Sequence, residues 1–195
     1  MKMNLPNKLT VLRLLMVPVI IIVMLIPINE TASRLLAAAV FGLTALTDML
    51  DGKIARKRGL ITDFGKFLDP LADKFMVIAA MLVLLLKYDG AIRYFCFAAN
   101  MIVIMRELAV TSIRLVASSK GGIVVAANML GKIKTCTQIA FVLCALLEPV
   151  LFETILGVTD YHILTYISMF LSSLFTVWSG INYIKTYWKF LDPNK

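Results

Sequence analysis

The stretch from Asp48 to Asp73 contains two pairs of aspartates at helical spacing in an otherwise apolar chain. Asp48 and Asp51 are three residues apart, and Asp69 and Asp73 are four residues apart. Residues at these spacings share one face of a helix, so each pair can aim two carboxylates in one direction. Two such helices side by side would form a cluster of four carboxylates. An ordinary solvated loop between two helices is the alternative, but it does not explain acids at helical spacing inside both flanking apolar segments.

Carboxylates without neighbouring His or Cys suit a hard divalent cation, Mg²⁺ or Mn²⁺, and not zinc. Two such ions in one site can hold a phosphate group and stabilise the attacking and leaving oxygens of a displacement. Gly52 and Ala55 leave space beside the first pair for a flat ligand, and Arg56 offers a forked donor suited to phosphate. The pattern therefore predicts chemistry on a phosphorylated substrate.

The composition indicates that this site lies in a membrane protein. Of the 195 residues, 60% are hydrophobic and 16% are charged, and the mean hydropathy is +0.87. Soluble domains carry about 45–50% apolar and about 25% charged residues, so the surplus apolar surface needs lipid. The net charge of +8 comes from basic residues scattered at helix ends, which favours membrane orientation and anionic ligands over nucleic acid.

Six apolar segments are long enough to approach the roughly 20 residues that a membrane-spanning helix needs. We therefore predict an all-α, polytopic membrane protein with one domain over residues 1–195 and six transmembrane helices. The predicted helices cover about 9–26, 34–55, 71–86, 92–116, 133–147 and 163–184. The three cysteines lie in apolar runs and are predicted to be inert core thiols. Tyr183, Tyr187 and Trp188 near the last helix end are typical of an interfacial aromatic belt.

The distribution of basic residues predicts the orientation. All of the 20 lysines and arginines except Arg34, Lys87 and Arg93 fall on the side that holds both termini and the acidic stretch. Cytoplasmic loops carry an excess of Lys and Arg. We expect a multi-pass protein of the cell membrane with both termini and the acidic site in the cytoplasm.

The acidic stretch resembles the signature of the CDP-alcohol phosphatidyltransferase family. Written with spacings, it reads D-x2-D-G-x2-A-R-x8-G-x3-D-x3-D, with Gly65 at the remaining glycine position. The resemblance implies a six-helix membrane enzyme, usually a homodimer. Such an enzyme transfers a phosphatidyl group from CDP-diacylglycerol to an alcohol and releases CMP.

The resemblance also implies roles for individual residues. Asp48, Asp51 and Asp69 would be ligands of two Mg²⁺ or Mn²⁺ ions, and Asp73 would complete the metal cluster and act as the general base on the acceptor hydroxyl. The nucleotide of the donor would lie against Gly52, Ala55 and Arg56.

Two further stretches resemble a bacterial branch of this family whose acceptor is sn-glycerol 3-phosphate. They are LPNKLTVLR near the N-terminus, and REL-x3-TSIR followed by GKIKTCTQ. By this resemblance, Asn7, Thr10 and Arg13 would lie near the nucleotide entrance. The alternative is structural: Asn7 or Thr10 would cap the first helix, and Arg13 would lie at the membrane interface. The residues themselves favour neither interpretation.

Four basic residues are candidates for binding the acceptor phosphate: Arg106, Arg114, Lys132 and Lys134. Arg106 and Arg114 are eight residues apart and so lie roughly on one helical face. Membrane anchoring is the alternative, but it fits Arg106 poorly because that residue lies inside an apolar run. A basic pocket beside the metals suits an acceptor that itself carries phosphate.

Two other functions stay open at this point. The acceptor can be a different alcohol, such as inositol phosphate, serine or phosphatidylglycerol. From another class of protein, a small cation transporter would use the acids as an ion site. Transporters commonly show paired repeats and interrupted helices, whereas this chain shows no repeat and places its acids with Gly, Arg and Lys at one membrane edge.

Overall fold

The computed structural model describes residues 4–26, 29–58, 63–121, 129–158 and 162–188. Within these ranges, the side chains of 5–6, 49–58, 63, 66–67, 118–121 and 154–155 lie outside the description. Six α-helices and no strand occur in the described residues: α1 (Leu5–Leu25), α2 (Glu30–Arg58), α3 (Asp63–Lys87), α4 (Gly90–Gly121), α5 (Met129–Pro149) and α6 (Ile163–Tyr187). Each predicted apolar segment corresponds to one of these helices.

Four of the six helices are long and apolar enough to cross a membrane within the described ranges. They are α1, α4, α6 and α5 together with the π-helical turn Val150–Ile155 that continues it. The other two, α2 and α3, carry the acidic stretch and further charges such as Arg34 and Lys74. The architecture confirms the predicted all-α class and fits a polytopic membrane protein.

Local sequence explains where several helices begin. Asn4 caps α1, since its side-chain oxygen accepts a hydrogen bond from the backbone N of Asn7 at 3.1 Å. Asn29 caps α2 in the same way by accepting from the backbone N of Thr31 at 2.9 Å. The cap of α1 is therefore Asn4, which removes the alternative that Asn7 or Thr10 serves as the cap.

The N-terminus of α6 is capped by a residue from another helix. Glu148 near the end of α5 is buried, and its carboxylate accepts from the backbone N of Leu164 and of Thr165, each at 2.6 Å. A negative charge is favourable at this position because it faces the positive end of the helix dipole. Glu148 thus joins the first turn of α6 to the end of α5.

The arrangement of the first three helices decides how the acidic stretch is used. α1 packs against both α2 and α3, whereas α2 and α3 share few contacts within the part of the chain that the structure describes. The expected side-by-side pair of acidic helices is therefore bridged by α1. α6 packs against both α4 and α5, and α5 joins this group to α2.

The core between the helices is apolar and closely packed. Phe41, Met76, Met81 and Phe141 are fully buried in it. Ala37 and Ala38 of α2 are also buried, and their small side chains allow neighbouring helices to approach closely. One prediction was wrong: Cys96 is buried, but Cys136 is exposed, so the cysteines are not uniformly core thiols.

Polar contacts gather at the two ends of the helical bundle. At one end, Arg34 donates to Glu30 at 3.0 Å and to the backbone oxygen of Ala145 at 3.2 Å, and Lys87 donates to Glu30 at 2.8 Å. The other end holds the acidic stretch and most of the basic residues predicted to be functional.

Candidate active site

The acidic stretch meets α1 through two side-chain contacts. Arg13 forms an ion pair with Asp48, with 2.5 Å between Nη1 and Oδ1. One turn earlier on α1, the hydroxyl of Thr10 donates to Oδ1 of Asp69. Both residues are almost fully buried, and Asn7 on the same helix is also buried. Asn7, Thr10 and Arg13 recur every three residues, which places them along one side of α1 toward the acids.

Three of the four predicted metal ligands have described side chains. The carboxylate of Asp48 on α2 interacts electrostatically with those of Asp69 and Asp73 on α3. The backbone of Asp51 continues α2, as do those of Gly52, Ala55 and Arg56, but the side chains of these residues lie outside the described ones.

The donor chemistry of the acidic stretch fits a divalent cation. Carboxylate oxygens are the ligands that Mg²⁺ and Mn²⁺ prefer. Among the described side chains, no three of the His, Cys, Asp and Glu type lie close enough together to hold one ion. Arg13 and Thr10 instead satisfy Asp48 and Asp69 directly, and the fourth carboxylate, Asp51, is not among the described side chains.

A second group of charges lies beside Asp73 and is centred on Glu107 of α4. Lys134 of α5 donates to Oε1 of Glu107, and Nη1 of Arg106 donates to the same oxygen at 3.0 Å. Lys74 of α3 lies 3.6 Å from Oε2. We call these four residues, Lys74, Arg106, Glu107 and Lys134, the Glu107 cluster.

The Glu107 cluster borders a small cavity that reaches Asp73. The cavity combines charged, amide and hydroxyl groups with an apolar wall, and it is lined by Asp73, Lys74, Val77, Ile78, Val103, Glu107, Lys134, Thr135 and Gln138. The chemistry of its lining, a carboxylate beside two ammonium groups, suits an anionic group next to a hydroxyl group at Asp73.

The two arginines of α4 are held against α6. Arg106 donates to Oγ of Ser179, and Arg114 donates to the hydroxyl of Tyr183, both at 2.6 Å. Their guanidinium carbons lie 5.5 and 4.9 Å from the centre of the Tyr183 ring, within the range of a cation–π contact. Tyr183 is buried, so its assignment to an interfacial aromatic belt was wrong.

A glycine allows α6 to approach Arg106 this closely. A Cβ placed on Gly180 would lie 3.1 Å from Cγ of Arg106, tighter than most real contacts. The face of α6 that packs on Arg106 and Arg114 has a sequence signal, because small or polar residues recur there at helical spacing. These residues are Thr176, Ser179, Gly180 and Tyr183, and all four are buried.

Lys134 and Lys132 differ in their surroundings. Lys134 is buried in the Glu107 cluster, whereas Lys132 is exposed. Two residues along an α-helix correspond to a rotation of about 200°, so the two side chains point to opposite sides of α5. Of the four basic residues predicted to bind the acceptor, Lys134 and Arg106 both contact Glu107. Arg114 contacts Tyr183, whose ring Arg106 also contacts.

Comparison with known proteins gives the family. Residues 3–178 match the family model described as CDP-alcohol phosphatidyltransferase. The chain is 40% identical to the CDP-diacylglycerol–glycerol-3-phosphate 3-phosphatidyltransferase of Bacillus subtilis, over 98% of both chains. It is 35% identical to the protein of that name from Pseudomonas fluorescens, over 98% of this chain and 94% of the relative. A probable phosphatidylglycerophosphate synthase of Mycobacterium tuberculosis is 33% identical over 93% of this chain and 80% of its own length. The chain therefore belongs to the CDP-alcohol phosphatidyltransferase family.

Proposed function

We propose that this protein transfers the phosphatidyl group of CDP-diacylglycerol to sn-glycerol 3-phosphate, which yields phosphatidylglycerophosphate and CMP. The observation that carries the proposal is the cavity that joins Asp73 to Lys74 and Lys134. Such a cavity suits an acceptor with a reactive hydroxyl group and a phosphate group. The names of the relatives point to the same donor and acceptor.

In the proposed reaction, Asp73 accepts the proton of the acceptor hydroxyl. The oxygen then forms a bond to the phosphorus of the phosphatidyl group, and the bond from this phosphorus to the CMP oxygen breaks. An alcohol is a weak nucleophile until a base takes its proton, and a positioned base typically contributes about 10²–10⁴-fold in rate. The ammonium groups of Lys74 and Lys134 would hold the acceptor phosphate beside Asp73, with Arg106 and Arg114 stabilising this part of the site.

The donor would bind on the other side of Asp73. We assign its cytidine diphosphate to Gly52, Ala55 and Arg56, with Asn7, Thr10 and Arg13 at the entrance. Asp48, Asp51, Asp69 and Asp73 would hold two Mg²⁺ or Mn²⁺ ions, which would neutralise charge on the pyrophosphate when bound. Arg13 and Thr10 contact two of these carboxylates, those of Asp48 and Asp69, and so orient them.

The membrane arrangement is part of the same proposal. We place both termini and the site on the cytoplasmic side of the cell membrane, with all six helices crossing it and a homodimer as the working unit. The basic residues near the site support this orientation. A lipid donor and a water-soluble acceptor can both reach a site at that edge.

The test is CMP release by the purified protein in lipid vesicles containing CDP-diacylglycerol and Mg²⁺. The proposal predicts release with sn-glycerol 3-phosphate and not with serine, inositol phosphate or phosphatidylglycerol, each supplied alone. If CMP were released only with one of the other alcohols, that alcohol and not sn-glycerol 3-phosphate would be the acceptor. Cation uptake into the vesicles without CMP release would show that the protein is a cation transporter and not this enzyme.

A further inference from the structure

Glu107 is a buried carboxylate that receives cations from three helices. Its side chain is 7% exposed and contacts Lys134 of α5, Arg106 of α4 and Lys74 of α3. Charged side chains inside a membrane bundle are costly and mark functional sites by default.

The charges around Glu107 do not balance. Three cations face one carboxylate, and the carboxylate of Asp73 lines the same cavity, so these described residues together keep a surplus of one positive charge. The surplus is what a phosphate group requires as it enters the cavity.

Glu107 also determines where the ammonium groups lie. A lysine has a flexible four-carbon stem that loses rotamer entropy when it is fixed. The two oxygens of Glu107 divide the cations, with Lys134 and Arg106 at Oε1 and Lys74 at Oε2. Lys74 is held from a second direction, since it donates to Oγ1 of Thr111 at 2.5 Å.

We propose that Glu107 is a positioning residue that holds the ammonium groups of Lys74 and Lys134 at the cavity, ready for the phosphate of the acceptor. This inference rests on the proposed function. Glu107 could act through its charge or by positioning the lysines, and these two roles predict opposite changes in phosphate binding when Glu107 is replaced. If Glu107 acts only through its charge, its removal strengthens phosphate binding. If it positions the lysines, its removal weakens that binding.

The variant Glu107→Gln retains the size of the side chain and removes its charge. We expect the KM for sn-glycerol 3-phosphate to rise at least tenfold, while the KM for CDP-diacylglycerol stays within twofold. A KM for sn-glycerol 3-phosphate that falls or stays within twofold would overturn the inference. The wild-type protein, assayed in parallel, tests the proposed function separately, since its failure would be an absence of CMP release with this acceptor.

A double-mutant cycle with Lys134→Gln tests whether Glu107 acts through Lys134. Residues coupled in one ion-pair network show non-additive effects. Because Thr111 still holds Lys74 in both variants, the positioning role predicts that adding Glu107→Gln to Lys134→Gln changes the KM for sn-glycerol 3-phosphate less than threefold. A further tenfold change in either direction would contradict it. This comparison remains decisive if Glu107→Gln alone does not fold, because replacing both partners of a buried pair is tolerated better than replacing one.

Glu148→Gln is the matched control. Glu148 is also a buried carboxylate, but it caps α6 at the opposite end of the bundle. It should lower the thermal stability and leave both KM values within twofold. An equal rise in the KM for sn-glycerol 3-phosphate in both variants would assign the effect to general destabilisation and overturn the positioning role.

Discussion

Arg13 on α1 and Asp48 on α2 form an ion pair in which the arginine side chain is 1% exposed and the aspartate side chain is 38% exposed. The pair brings a buried guanidinium group from the N-terminal helix to the first acid of the signature. Through it, and through Thr10, α1 becomes a wall of the site.

Replacing Arg13 with Gln should destabilise the protein. Removal of one partner from a fully buried ion pair costs about 3–5 kcal/mol, and the partial exposure of Asp48 reduces this to about 1–3 kcal/mol. Thermal unfolding in detergent micelles measures the loss. Arg93→Gln is the control, because Arg93 pairs with Asp89 at 2.7 Å on the exposed surface. Equal losses in the two variants would show that the Arg13 pair is an ordinary surface contact.

Thr10→Val should weaken the response to divalent cations. Valine matches threonine in shape but cannot donate the hydrogen bond to Asp69. Loss of a group that orients a metal ligand typically costs about 10–100-fold in metal affinity or activity. We expect the Mg²⁺ concentration for half-maximal activity to rise about tenfold. Thr44→Val is the control, since buried Thr44 donates only to the backbone oxygen of Val40. An unchanged Mg²⁺ dependence of Thr10→Val would exclude the orienting role.

Asp73→Asn should abolish turnover while CDP-diacylglycerol still binds. The amide cannot accept the proton of the acceptor, so a fall in kcat of at least about 10²-fold is expected from the loss of a general base. Equilibrium binding of the donor to the purified variant gives the second measurement. If donor binding were lost together with turnover, Asp73 would be a binding residue and not the base.

Gly180→Ala should weaken acceptor binding selectively. The added methyl group would lie 3.1 Å from Cγ of Arg106, so that side chain must move by a few tenths of an ångström, which weakens its hydrogen bond to Ser179. We expect the KM for sn-glycerol 3-phosphate to rise more than that for CDP-diacylglycerol. In the control Gly42→Ala, the new Cβ lies at an ordinary 3.8 Å from Leu143, and neither KM should change. Equal changes in both KM values for Gly180→Ala would remove Arg106 from the acceptor side of the site.

The ion pairs of Glu30, at the end of the bundle away from the acidic stretch, should make the stability of the protein depend on pH. Burial alone would raise the pKa of Glu30, but the hydrogen bond from Lys87 and the charge of Arg34 outweigh it and hold this pKa below its ordinary value of 4.5. Because the folded-state pKa is the lower one, Glu30 stabilises the protein above pH 4.5 and loses this contribution as the pH falls through the folded pKa. The melting temperature of Glu30→Gln should therefore depend less on pH in this acidic range than that of the wild type. Parallel curves for both proteins would contradict the prediction.

The sequence predicted the helices well because their apolar runs are long and their ends carry clear signals. It also predicted that the acids lie on helices, since Asp69 and Asp73 have helical spacing and both belong to α3. It did not predict that α1 would lie between the acidic helices, because the packing order of apolar helices leaves no periodic trace. The contacts of Thr10 with Asp69 and of Arg13 with Asp48 depend on that order.

The basic side of the site shows the same limit. Arg106 stood out because it lies inside an apolar run, but nothing in the spacing paired Glu107 with Lys134, which is on the next helix. Tyr183 was misassigned because an aromatic residue near a helix end looks the same in sequence whether it faces lipid or two arginines.

The position of Ser179 and Tyr183 on α6 has a consequence for how the protein is made. The first three helices carry all four acids, so a growing chain contains the complete signature before half of it has been translated. The partners of Arg106 and Arg114 emerge from the ribosome only with the last helix. The acidic and basic halves of the site are therefore completed at different times during synthesis, and the arginines acquire their final orientation last.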